Sequence, residues 1–128
     1  MPTQREVIHS DDAPRAIGPY SQAIRAGNML FCSGQIGLDP RAGKLVSDAV
    51  ADQARQVMLN LRAVLEAAGA GLERVAKTTI YLTDLADFQV VNEVYGSFFA
   101  SQPPARATVQ VAALPLGSRV EIEAVAVL

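Results

Sequence analysis

The chain is predicted to fold as an α+β unit, a mainly antiparallel sheet of about six strands with two helices on one of its faces. Three observations carry this expectation. Between Asp48 and Ala68, and again beyond Asp84, apolar residues recur at steps of three and four, the period of a helix with one buried face. The stretch between them, Val75 to Thr83, alternates and is rich in β-branched residues, which suits a strand. The chain then ends in PPARATVQVAALPLGSRVEIEAVAVL, two further alternating runs around a turn. Helices on one side leave the second sheet face uncovered. Its mixture of apolar and polar residues is too apolar for free solvation, so it is expected to pack against other copies of the chain in a closed homo-oligomer.

Taken in order, Thr3 to His9 alternates weakly and reads as a first strand, broken by Ser10, Asp11, Asp12, Ala13 and Pro14. His9 is the only histidine. Without cysteine or histidine partners it makes no metal site, and it is given no role. In AIGPYS, Gly18 and Pro19 stand directly before Tyr20 and hold its ring on a constrained loop. That ring either shapes a pocket or caps the core with its hydroxyl in water. Gln22 to Arg25 and Met29 to Ile36 form a hairpin turned by Gly27 and Asn28. Within the second of these strands Ser33 precedes Gly34, and a strand glycine marks a bulge or a close approach to the backbone, where exposed amides could bind an anion. Cys32 has no basic neighbour in sequence to activate it and reads as a small buried thiol. Asp39 to Gly43 is a surface loop.

The first helix presents Val50, Ala54, Val57, Leu61, Val64, Leu65 and Ala68 on one face and stops at Gly69. In the strand that follows, Ala76, Thr78, Ile80 and Leu82 face away from Lys77, Thr79 and Tyr81. The second helix is capped by Asp84 or Asp87, carries Leu85, Phe88, Val91, Val94, Tyr95 and Phe98 as its apolar stripe, and is ended by Gln102, Pro103 and Pro104. Asn92 lies inside it, solvated if exposed and able to orient a neighbouring loop if buried.

In the terminal stretch Ala105, Ala107, Val109 and Val111 face away from Arg106, Thr108 and Gln110. Val120, Ile122, Ala124 and Ala126 likewise face away from Arg119, Glu121 and Glu123. Leu114 to Ser118 supply turn chemistry, so an antiparallel hairpin is expected, with Arg106 near Glu121 on one face. Such a pair is either a structural ion pair or a carboxylate-binding guanidinium beside a general base. The stretch taken alone favours the ion pair.

With 128 residues the chain is expected to be a single domain, 1–128, with a core of its own. No apolar run approaches the roughly 20 residues of a membrane span, so no membrane partner is expected. The first residues lack the basic start and apolar middle of a signal peptide, and the single cysteine forms no internal disulfide; a soluble, cytoplasmic protein is expected. A net charge of −2 and 5% aromatic residues count against an extended nucleic-acid groove.

AIGPYSQAI, FCSGQIGLDP, VNEVY, PPARATVQVAALP and VEIEAVAV together resemble the RidA family of enamine/imine deaminases, also called the YjgF family, in order and nearly end to end. The resemblance implies a chorismate-mutase-like fold and a homotrimer whose sheets form a central barrel, with clefts between subunits. By motif it implies that Arg106 and Glu121 act on the substrate, that Tyr20, Ser33, Gly34 and Thr108 line the cleft, and that Asn92 supports it. Some members have cysteine where this chain has Thr108, which rules out a thiol there but leaves a backbone role. The implied substrates are 2-imino acids and their enamines, such as 2-aminoacrylate, 2-iminopropanoate and 2-iminobutanoate, hydrolysed to 2-oxo acids and ammonia. Neither metal nor organic cofactor is implied, because an iminium carbon is already a good electrophile. Two rivals stand beside this reading: a regulatory trimer that senses small carboxylates, and an endoribonuclease or translation inhibitor.

Overall fold

The computed structural model describes residues 4–128; Thr3, the expected start of the first strand, lies outside the described residues. In chain order the elements are β1 (Arg5–Ile8), β2 (Ala23–Ala26), β3 (Met29–Ile36), α1 (Val50–Ala67), β4 (Val75–Leu82), α2 (Phe88–Gly96), β5 (Ala105–Gln110) and β6 (Val120–Val127). They make one six-stranded sheet in the order β1-β2-β3-β6-β4-β5, with both helices on one face, as the sequence predicts. Gly27 takes the positive φ of 61° that closes the β2–β3 hairpin. Gly69, with φ 80°, ends α1: its N–H donates to the Glu66 carbonyl and the Ala70 N–H to that of Leu65.

The core lies between sheet and helices. Leu30 and Cys32 of β3, Ile80 and Leu82 of β4 and Val120, Ile122, Ala124 and Ala126 of β6 meet Val57, Leu61, Val64 and Leu65 of α1 and Val91 and Tyr95 of α2. Each large aliphatic side chain taken out of water here contributes about 1.5–3 kcal/mol. Cys32 is buried as expected, and burial pushes its thiol up to about 12, which leaves it unreactive.

The expected terminal hairpin does not form. β5 runs parallel to β4 on the sheet edge, and β6 inserts between β3 and β4, antiparallel to both. Burial explains the choice. β6 alternates buried Val120, Ile122, Ala124 and Ala126 and takes the central position, whereas β5 buries none of its residues fully and takes the edge. The segment from Val111 to Arg119 also exceeds the two to five residues of an ordinary hairpin loop, about the limit for a direct return.

Smaller differences have local causes. A bulge between Val75 and Lys77 turns Ala76 outward, off the face shared by Thr78, Ile80 and Leu82. The second helix stops at Gly96, where the Ser97 hydroxyl donates to the Val94 carbonyl, well before Gln102. Asp84 caps the short turn ahead of α2 by accepting the Ala86 N–H at 2.9 Å. Asp87 instead holds Arg119, with contacts of 3.0 and 3.2 Å.

Candidate active site

Among the described residues, Tyr20, Ser33, Gly34 and Glu121 line one cleft and Asn92 and Arg106 another, whereas Thr108 lines neither. The first is built on the Ser33–Gly34 bulge, where the β3–β6 register shifts between Cys32 and Gln35. The Ser33 N–H donates to the Gln22 carbonyl at 2.9 Å and its hydroxyl to the Ser21 carbonyl at 2.6 Å. Gln22 is itself buried. Its amide accepts the Ser10 N–H at 2.6 Å and donates to the Pro14 carbonyl at 2.8 Å, pinning the preceding loop over the bulge. That loop carries Tyr20, half-exposed, to the rim of a cleft of about 520 Å³.

Glu121 forms part of this cleft. A Cβ on Gly34 would collide with the Glu121 carboxylate, so the glycine is required by the close approach of the next strand's side chain. Burial pushes the Glu121 carboxyl above the ordinary carboxylate range, and the charge of Glu123 adds to the effect. Glu123, two residues on and on the same face, accepts a hydrogen bond from the Tyr81 hydroxyl. The EIE alternation signals that both glutamates share a face; the link to Tyr81 depends on β4 lying beside β6, which no local pattern announces.

The second cleft, of about 450 Å³, lies between α2 and the start of β5. Arg106 donates from Nη1 to Asn92 Oδ1 at 2.7 Å. Its guanidinium also stands 5.5 Å from the Phe88 ring centre and 5.2 Å from that of Tyr95, within cation–π range. Tyr95 is fixed in turn by a 2.7 Å hydrogen bond with the Thr78 hydroxyl. Thr108, two residues beyond Arg106 on the same strand face, has a buried hydroxyl with no hydrogen-bond partner among the described residues. Asn92 is exposed, yet it is not merely solvated: it holds the guanidinium.

Arg106 and Glu121 therefore do not share a face within one chain. Arg106 stands level with Thr78, which points to the helices, whereas Glu121 stands level with Tyr81 on the opposite side. The expected Arg106–Glu121 ion pair is absent among the described residues, and Arg106 bonds Asn92 instead.

Fold and site together define an α+β protein with a half-buried carboxylate in one cleft and a braced guanidinium in another. A sequence profile described as endoribonuclease L-PSP matches residues 10–128. Protein DfrA of Myxococcus xanthus is 60% identical over 125 residues, spanning 96% of this chain and 95% of that protein. The human 2-iminobutanoate/2-iminopropanoate deaminase is 54% identical over 123 residues, spanning 96% and 90%. The crystal structure of E. coli TdcF with bound serine matches with a TM-score of 0.92 at 44% identity, covering 96% of this chain and 98% of that one. The chain belongs to the RidA, or endoribonuclease L-PSP, family.

Proposed function

We propose that this chain hydrolyses reactive 2-imino acids and their enamine tautomers, 2-aminoacrylate, 2-iminopropanoate and 2-iminobutanoate among them, to 2-oxo acids and ammonia in the cytoplasm. The observation that carries the reading is Glu121, half-buried against Gly34 in a cleft, with its proton affinity raised by burial. A carboxylate tuned upward sits closer to neutral pH and is better matched to general-base work. The name of the human relative and the serine bound to TdcF support a small amino-acid-like ligand.

The chemistry asks for two groups. Arg106 holds the substrate carboxylate through two parallel hydrogen bonds, with Asn92 and the rings of Phe88 and Tyr95 fixing its plane. Glu121 takes a proton from a water whose oxygen bonds to the imine carbon and passes it to the imine nitrogen, giving a carbinolamine. It then moves the hydroxyl proton to the same nitrogen as the carbon–nitrogen bond breaks and the carbonyl forms, so that ammonia and the oxo acid separate. Tyr20, Ser33 and Gly34 shape the cleft around the reacting atoms, and Thr108 stands beside Arg106 on the same strand face.

Because one chain keeps Arg106 and Glu121 on opposite faces, the complete site requires two chains. A head-to-tail contact that presents Arg106 of one subunit to the Glu121 cleft of the next closes into a ring, and a homotrimer would contain three such sites. The uncovered sheet face, with Val7, Phe31, Val109 and Val127 exposed, is the surface such a ring would bury. The test generates 2-aminoacrylate or 2-iminobutanoate in situ with a dehydratase and follows the oxo acid, with sedimentation run on the same preparation. Accelerated release by a trimer is expected; a monomer at micromolar concentration, or no acceleration, would overturn the reading.

A further inference from the structure

We infer that the Glu121 cleft contains a second anion subsite at Arg15, so that 2-imino acids bearing a second carboxylate are substrates. The inference rests on the deaminase reading and deepens it. Arg15 lines the same cleft as Glu121, and among the described residues it pairs with no carboxylate; the two ion pairs there are His9–Asp11 and Arg119–Asp87. It is an unneutralised cation in a cleft whose other charge is the base.

Its position is built rather than incidental. Arg15 follows Pro14 directly, and the Pro14 carbonyl accepts the buried Gln22 amide at 2.8 Å, so the backbone at the root of the side chain is anchored beside the bulge that seats Glu121. Arg15 and Glu121 both line this cleft, with the apolar Ile17 and Leu116 among its walls.

A cleft of about 520 Å³ is far larger than a three- or four-carbon imino acid fills. With the first carboxylate on Arg106 and the imine carbon beside Glu121, the rest of the substrate must extend along the apolar walls. A carboxylate at its far end meets Arg15. The reaction is unchanged: water adds to the imine carbon, ammonia leaves, and a dicarboxylic 2-oxo acid forms. Such imines arise from two-electron oxidation of acidic amino acids.

The experiment compares kcat/KM for 2-iminosuccinate, made in situ by an aspartate oxidase, with that for 2-iminobutanoate, in wild type, Arg15→Ala and Arg15→Glu. Because Arg15 is exposed, both variants should fold. The ratio of dicarboxylate to monocarboxylate turnover should fall about two- to fivefold in Arg15→Ala and further in Arg15→Glu, and should shrink with added salt in wild type. An unchanged ratio, or 2-iminobutanoate hydrolysed while 2-iminosuccinate is not, would overturn the subsite and leave the deaminase standing. Failure on both substrates would remove the deaminase reading and the subsite with it.

Discussion

The two clefts differ in what holds their key charge. Arg106 is exposed but braced on several sides, by the Asn92 carbonyl oxygen and by two aromatic rings. Glu121 is half-buried and seated against a backbone that lacks a side chain, with no hydrogen-bond donor to its carboxylate among the described residues. The first arrangement stabilises a charge in a fixed plane, which suits recognition of a carboxylate. The second disfavours charge and raises proton affinity, which suits proton transfer. The same sheet thus carries a braced cation on one face and a carboxyl of raised proton affinity on the other, the two groups the proposed reaction uses.

The sharpest way to break this contrast is to neutralise Glu121. Glu121→Gln should lower kcat/KM for 2-iminobutanoate on the order of a hundredfold or more. Wild-type activity should rise with pH along a limb displaced above the ordinary carboxylate range, because the base must ionise against burial, and the variant should lose that limb. Stability should move the other way. A carboxyl whose folded pKa is raised contributes stability present at low pH and lost as pH rises through the raised value, so at neutral pH Glu121→Gln should melt higher than wild type. A pH–rate profile and a melting curve on both proteins check this; a near-normal rate would remove Glu121 from the chemistry.

Arg106→Lys tests the binding half. It keeps the charge but loses the planar fork, a contact worth about 2–3 kcal/mol, so activity should fall about 30- to 160-fold while the folded fraction is kept. If Arg106 serves only the packing of α2, the melting temperature should fall instead and the folded protein should hydrolyse imines normally.

Whether the halves meet across subunits can be read by mixing. Glu121→Gln and Arg106→Ala proteins, each inactive alone and refolded together in equal amounts, should recover about a quarter of wild-type activity, the share of head-to-tail contacts that pair an intact glutamate with an intact arginine. No recovery would place the whole site within one chain. The smallest effect is expected at Asn92. Asn92→Ala removes one bond to the guanidinium, and activity should fall about fivefold, chiefly in KM; an unchanged KM would show that the aromatic rings alone hold Arg106.

Much of this was legible from the sequence because it is written locally. Alternation placed β3 and β6, the three-and-four spacing placed α1, Gly27 and Gly69 closed and stopped their elements, and Gly34 next to Ser33 marked the bulge that Glu121 requires. What only the tertiary structure decided is which strand lies beside which. A period of two assigns side chains to faces but is silent about neighbours, and turn residues between β5 and β6 favour a reversal of direction without choosing the partner. That choice went to long-range burial: the apolar β6 took the centre between β3 and β4, and the polar β5 was carried by α2 to the far edge, parallel to β4. Because a parallel edge strand and an antiparallel central strand present their alternating residues independently, Arg106 and Glu121 came to lie on opposite faces.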